Sequence, residues 1–310
     1  MGPHMDLRQL RYFVTVAESG SISAAAQLLH VAQSAVSRQM KVLEEDVGGA
    51  LFRRSVAGVA LTDSGAMLLE RARFILREVE SAANDVSTFS RGMRGVVRMA
   101  APASVGRALY VQTVPPFRLQ YPLVQLELSE SPTDDVLHRL LSGSLDLGIV
   151  SDPPAQDTLT FEPLIREETV LLCAPGSPLA RRRSVAATRL RAESIIISAG
   201  LRRIYADRYG DLRPAVQIDG IGASARLAMA GAGYAVFPRS TISTSDVLTN
   251  LVAVPIEGFD IMRMMATARG RPASLAVRAF RAAIEAQFAH CVQDGVFTRR
   301  TRARGARTGG

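Results

Sequence analysis

The sequence predicts a composite fold: short helices closed by a small β-hairpin wing, one long helix, and then an α/β body in two lobes. Three observations lead there. Apolar residues recur at three and four through residues 6–47, in short runs broken at Gly20 and Gly48. Between residues 63 and 92 an a/d pattern persists for three heptads. From about Gly95, strand-type and helix-type segments alternate, as they do in a sheet covered by helices. A chain of 310 residues is also long enough for two domains of roughly 150 residues each.

Gly2-Pro3-His4 reads as a cloning scar (residues 1–4) ahead of a native start at Met5, and the first domain as residues 5–62. Leu7, Leu10, Phe13, Val14 and Ala17 share one face of a helix that stops at Ser19-Gly20. A second short helix covers Ser23 to Leu29, opened by serines suited to N-capping. A third runs from Gln33 to Asp46 and ends before Gly48-Gly49. Leu51-Phe52-Arg53-Arg54 and Val56 to Leu61, around Gly58, read as the hairpin wing.

Thr62 is an N-cap candidate with Asp63 in the first turn of the next helix. Leu68, Ala72, Ile75, Val79, Ala82, Val86 and Phe89 then form the seam, which ends at Arg91-Gly92. Such a helix packs either on its own domain or on another chain. Its regularity between two domains favours a dimerisation linker, residues 63–92.

Val96 to Ala101 is strand-like, Leu109 to Tyr121 helical, Val124 to Glu130 a period-two strand, Thr133 to Ser142 helical and Leu145 to Val150 a buried-type strand. A second set begins at Glu168–Ala174 and includes Ser194 to Ser198, Ala223 to Gly231, Tyr234 to Pro238 and Met262 to Arg269. A helix from Ala273 to Val292 packs back on the first set. The alternation predicts a parallel sheet covered on both faces. The body is residues 93–298, with lobe I about 93–165 and 270–298 and lobe II about 166–269. The Arg-rich tail, residues 299–310, has the composition of a disordered segment.

The formal net charge of +8 suggests a polyanionic partner, but its location weakens that argument. Residues 1–62 carry a net +1, residues 63–92 a net −1, residues 93–298 a net +3, and the tail a net +5. Two cysteines are too few for a disulfide framework or a four-cysteine zinc site and fit a reduced, cytoplasmic setting. No apolar run is long enough to span a bilayer, no secretory signal is evident, and no membrane partner is expected.

What points to nucleic acid is the stretch Ala24 to Met40, which fits a helix-turn-helix. Ala26 suits the point where two helices cross. Leu29, Val31, Val36 and Met40 suit the shared core, and Val36, Met40 and Leu43 are spaced for one helix face. His30 falls in the turn, where it tolerates a left-handed conformation better than most residues. The outer face then carries Gln33, Ser34, Ser37 and Arg38. Gln can bond N6 and N7 of adenine, and Arg can fork onto O6 and N7 of guanine. The serines suit phosphates or base edges, and Arg53 and Arg54 at the wing suit phosphates. The alternative for the helix is a merely solvated face.

These residues carry a resemblance. Leu10-Arg11-Tyr12-Phe13, Ser21-Ile22-Ser23-Ala24-Ala25-Ala26, Gln33 through Met40, Leu43 through Gly48, Leu51-Phe52-Arg53-Arg54 and Leu61-Thr62-Asp63-Ser64-Gly65 together resemble the DNA-binding domain of the LysR-type transcriptional regulators. The likeness continues more weakly through Phe117–Pro122 and Gly143–Ile149. It implies an all-α winged helix-turn-helix domain, a linker helix, and a two-lobed α/β, periplasmic-binding-protein-like effector domain with a small-molecule cleft between the lobes. It also implies double-stranded DNA with dyad symmetry as partner, RNA polymerase at the promoter, and a homodimer through the linker helix that assembles further to a homotetramer.

Within that cleft, Ser104 and Thr133 stand where strands give way to helices, and helix N-termini attract carboxylates. Both also read as ordinary N-caps, and the two readings are compatible. Ser198 matches the family's second-lobe ligand loop. Arg202 beside it suits an anionic effector, though a solvated helix residue is the stronger alternative.

Other chemistry is thin. Cys173 and Cys291 read as buried structural thiols. No metal-ligand spacing, phosphate loop or enzyme signature is present, so no metal, cofactor or catalytic activity is expected. The rival functions are a stand-alone solute-binding protein, which would call for an export signal, and an effector-independent, architectural DNA-binding protein acting through the tail.

Overall fold

The computed structural model describes residues 5–55, 58–243, 248 and 250–297. Residues 1–4, Val56 of the expected wing, the tail 299–310 and the side chains of Arg54 and Phe89 lie outside the described residues. The chain divides near residue 95 into two compact units.

The first unit opens with α1 (Leu7–Ser19), whose N-terminus is closed by a reciprocal capping box between Asp6 and Gln9. It ends at Gly20, in the left-handed region at φ 64°. Ser21 caps α2 (Ile22–Leu28), which starts one residue before the expected Ser23. His30 turns the chain at φ 55°, as the helix-turn-helix reading requires. Next comes α3 (Gln33–Val47), ended by a left-handed Gly48. Strands β1 (Phe52–Ser55) and β2 (Gly58–Leu61) pair antiparallel as the wing, Phe52 opposite Leu61. Thr62 then caps α4 (Asp63–Arg91), its hydroxyl accepting from Gly65 N.

The core of this unit is Leu10, Phe13, Val16, Ala25, Ala26, Val36, Met40, Leu43, Leu51 and Ala72. Each large side chain buried here contributes about 1.5–3 kcal/mol. The α4 seam does not serve one purpose. Ala72 is fully buried in this core, and Leu68 and Ile75 pack on it together with Leu69 and Leu76. Val79 and Val86 are exposed, Val86 by 77%. The expectation of one seam pairing two chains is therefore corrected for its first half. A heptad pattern records that a stripe is apolar and cannot distinguish an intramolecular partner from an intermolecular one.

The second unit contains β3 (Gly95–Ala101), α5 (Ala103–Gln120), β4 (Val124–Glu130), α6 (Thr133–Leu141), β5 (Leu147–Ser151), β6 (Leu159–Cys173) and β7 (Val185–Ala186). It continues with β8 (Ile195–Ile197), α7 (Ala199–Tyr209), β9 (Val216–Gln217), α8 (Ile221–Met229), β10 (Tyr234–Pro238), α9 (Ser240–Ser243), β11 (Val252–Ala268) and α10 (Leu275–Gln293). Among the described residues the strands run in the order β4-β3-β5-β11-β6-β10-β8-β9, with β7 joined to β11.

The sheet is mixed, which corrects the expected parallel sheet. β3 and β5 are parallel, as are β8 with β9 and β10, but β6 and β11 run antiparallel to each other and to β10 and β5 respectively. These two long strands carry the chain out of lobe I and back, so they oppose β5 and β10, while β11 runs parallel to the short β7. Only their most apolar halves were legible, because Glu162, Pro163 and Arg166 interrupt one and Pro255, Gly258 and Asp260 the other. Their mutual register breaks between Pro255 and Asp260 and again between Arg263 and Met264.

Separate clusters fill the lobes. Ala100, Val136, Leu137, Leu140, Leu145 and Val150 belong to lobe I. Leu171, Ile195, Ile197, Tyr205, Val236 and Phe259 belong to lobe II. Helix α5 begins at Ala103 rather than Leu109, which puts Ser104 in its first turn instead of ahead of it.

Candidate functional site

The outer face of α3 follows from its inner one. Val36, Met40 and Leu43 are buried, so Gln33, Ser34 and Arg38 are exposed and Ser37 is half-buried on the opposite side. Ala32, the N-cap, has no side chain that bonds the first-turn amides. The end of α3 is tied to the wing by Glu44, whose Oε1 accepts from Leu51 N at 2.8 Å and Phe52 N at 3.2 Å. The wing's other end is pinned to α1. Val59 N donates to Gly20 O at 2.9 Å, and Gly58, at φ 125°, lies so near that a Cβ there would stand 2.6 Å from that oxygen. Arg53 is exposed on the wing and its Nη2 donates to Leu61 O at 3.3 Å. The wing is thus tied to the end of α3 on one side and to the end of α1 on the other.

In the second unit a cavity of about 380 Å³ opens where the starts of α5, α6, α7 and α8 converge. Ser104, Thr133 and Ser198 all line it. Neither α5 nor α8 has a side-chain cap hydrogen bond, and residues at the start of each line the cavity. Apolar walls come from Leu201, Ile204, Ile218 and Phe237, while Glu130 and Asp219 stand exposed at the rim.

Arg202 is not part of this lining, which corrects its expected role. It lies one turn further along α7, and its guanidinium bonds Leu212 O at 3.0 Å, Gln217 Oε1 at 3.0 Å and Asp211 Oδ1 at 3.2 Å. The cation that does line the cavity is Arg263, which the sequence reading did not single out. It is 2% exposed and donates from Nε to Glu167 Oε2 at 2.7 Å, from Nη1 to Ser151 Oγ at 2.5 Å and from Nη2 to Ser104 Oγ at 3.0 Å. Glu167 is 0% exposed, and its Oε1 accepts from Ser240 N at 2.7 Å. A signal was available. Period two in Ile261-Met262-Arg263-Met264-Met265 puts Arg263 on the face of Ile261 and Met265, both buried, and a buried charge demands a partner.

Cys173 and Cys291 are buried, unpaired thiols, and burial pushes Cys173 up to about 11. Such a thiol is protonated and unreactive near neutrality. Among the described residues no group of three or more His, Cys, Asp or Glu is placed to hold a metal, and no helix is long and apolar enough to cross a membrane.

A helix-turn-helix with a wing, joined to a two-lobed body enclosing a cavity at converging helix N-termini, defines a ligand-responsive DNA-binding regulator. Comparison with known proteins makes the class specific. Residues 7–66 match the bacterial regulatory helix-turn-helix protein, lysR family, and residues 90–289 match the LysR substrate binding domain. The HTH-type transcriptional regulator TfdS of Cupriavidus pinatubonensis is 35% identical over 251 residues, 76% of this chain and 83% of that one. The RuBisCO operon transcriptional regulator of Allochromatium vinosum is 30% identical over 302 residues, 93% of this chain and 99% of that one.

Two solved structures show the same fold. A full-length OxyR variant from Pseudomonas aeruginosa superposes with a TM-score of 0.70 at 20% identity, covering 97% of this chain and 99% of that one. Full-length CbnR, solved in complex with its target DNA, gives 0.64 at 22% identity, covering 93% of this chain and 100% of that one. The chain belongs to the LysR family: it is a DNA-binding transcriptional regulator with an effector-binding domain.

Proposed function

We propose that Gln33 and Arg38 read base edges in the major groove, that Ser34 and Ser37 contact phosphates or base edges beside them, and that Arg53 and Arg54 hold the flanking phosphates. The observation that carries this reading is the division of α3 into a buried apolar face and an exposed face presenting Gln33, Ser34 and Arg38 together. Two copies pair through the exposed Val79–Val86 half of α4, which brings two recognition helices to a dyad-symmetric promoter site, and a dimer of dimers completes a homotetramer. RNA polymerase is the further partner at that promoter, and the cytoplasm is the compartment.

In this reading the cavity takes a small-molecule effector, with Ser104, Thr133 and Ser198 among its contacts. Binding biases the lobes and thereby the spacing of the bound half-sites, a population shift.

The test of recognition is Arg38→Ala, assayed by fluorescence anisotropy on the specific site and on random DNA. A base-reading Arg38 costs about 1–3 kcal/mol on the specific site alone. Equal losses on both DNAs would reassign it to phosphate contact.

A further inference from the structure

The net charge of the body is concentrated in one place. Residues 93–298 carry a net +3, and Arg181-Arg182-Arg183 supply all of it, since the other basic and acidic residues there are equal in number. All three arginines are exposed. Among the described residues none of their side chains has a hydrogen-bond or ion-pair partner. Two carboxylates of the same lobe are engaged elsewhere. Glu257, next to Ala186 in the β7–β11 pairing, accepts from Ser184 Oγ at 2.5 Å, and Glu193 holds Arg189 at 3.0 Å.

The backbone beneath the three arginines is fixed. A single 3-10 turn, Pro178–Arg181, ends at the first of them. Ala180 N donates to Ser177 O at 3.1 Å and Arg182 N to Leu179 O at 3.0 Å. Leu179 before them and Val185 after them are each 3% exposed and sit in the lobe II core. Three consecutive Cα atoms span at most about 7.6 Å. That is within the Debye length of about 10 Å at 0.1 M salt, so dissolved ions do not screen the three charges from one another. Such a cluster attracts a polyanion.

The surroundings favour a phosphate backbone over a protein as that polyanion. Among the described residues no large hydrophobic side chain between residues 142 and 228 is exposed. A protein interface draws its energy from apolar and aromatic anchors, which this surface lacks. A nucleic-acid backbone requires cations alone. The chain is a DNA-binding regulator, yet residues 1–92 carry no net charge. Outside the tail, its excess positive charge therefore lies in the body, at this cluster.

We propose that Arg181, Arg182 and Arg183 form a second DNA contact, on lobe II. It neutralises phosphates of any sequence, and so adds to affinity without adding to the selectivity of the helix-turn-helix.

The experiment compares three full-length chains by fluorescence anisotropy on a labelled random-sequence duplex several helical turns long, over a salt titration. They are the wild type, Arg181→Gln/Arg182→Gln/Arg183→Gln, and Arg166→Gln/Arg269→Gln/Arg278→Gln. The last removes the same charge from exposed arginines on β6, after β11 and on α10. All six positions are exposed, so both variants fold, as circular dichroism verifies. Each phosphate neutralised contributes about 0.9 to the slope of log affinity on log salt, so loss of the cluster flattens that slope by about 2.7. The scattered variant flattens it by less than about 1. The tail arginines are present in all three chains and cancel, and Arg38 is untouched, so base reading and this contact fail independently.

An unchanged slope in the cluster variant overturns the proposal. Equal flattening in both variants also overturns it, because overall charge would then account for the effect. The same titration against poly-glutamate tests the other occupant. A cluster variant that loses poly-glutamate but binds DNA as the wild type does assigns the patch to an acidic protein and overturns the DNA contact. Failure of the wild type to bind the duplex overturns it as well.

Discussion

Gly65→Ala sets two effects of opposite sign against each other, and the structure decides between them. Gly65 is the third residue of α4, where alanine is favoured over glycine by about 1 kcal/mol on helix propensity. A Cβ on Gly65 would stand 2.1 Å from Leu51 O, about 0.9 Å inside the 3.0 Å that real Cβ contacts respect. Leu51 cannot give way cheaply. Its N–H is held by Glu44, its carbonyl accepts from Thr62 N at 3.0 Å, and its side chain is 2% exposed. Overpacking of this kind costs about 1–3 kcal/mol, and loss of the Thr62–Leu51 bond adds about 1 kcal/mol. The net is a loss of about 1–3 kcal/mol.

The assay is hydrogen exchange on the full chain, read on peptides spanning residues 50–66, with DNA affinity measured in parallel. Protection falls by the corresponding factor, and affinity falls because the wing and the end of α3 share the Glu44 clamp. Gly49→Ala is the control: its Cβ meets nothing within 4 Å, and it should change stability by less than about 0.5 kcal/mol. A Gly65→Ala chain with equal or greater protection would refute the close-approach argument.

The other predictions concern assembly and the thiols. Val79→Asp with Val86→Asp alters only exposed positions, so the unit stays folded, while sedimentation equilibrium should show dissociation of the α4-paired dimer; an unchanged mass would remove this half of α4 as the pairing surface. Cys173 should react with a thiol reagent at pH 7 only through opening of the fold, and a rapid reaction in the native chain would contradict its burial. Because the native state raises this thiol, its contribution to stability is complete below the ordinary thiol value of about 8.5 and is lost as pH rises through about 11. Cys173→Ala should therefore flatten the decline in urea stability across that alkaline interval.

Much of the first unit was legible because its information is local. Gly20 and Gly48 end helices through left-handed caps, His30 turns the chain at positive φ, and Val36, Met40 and Leu43 fix which face of α3 is left exposed. Strand periodicity likewise found the apolar halves of β6 and β11. Their polar halves were missed because pairing with each other, over thirteen residue pairs, overrides weak local preference there. Ser104, Thr133 and Ser198 were found as residues at strand ends, and the structure brings all three to one cavity. Arg202 and Arg263 show the reverse. An arginine beside a candidate loop looked suited to a ligand and is bonded elsewhere, whereas one inside an apolar strand lines the cavity.

The sequence by itself determined the class of protein, the exposed face of α3 and the helix starts that ring the cavity, since each depends on neighbours within a few residues. Tertiary structure alone decided which half of the α4 seam is buried, the mixed direction of the sheet, and the meeting of Arg263, Glu167, Ser151 and Ser104. Those four come from β11, β6, β5 and α5, up to 159 positions apart in the chain. No local pattern encodes which buried charge will face which buried hydroxyl. That follows from strand order and register, which only the packed chain specifies.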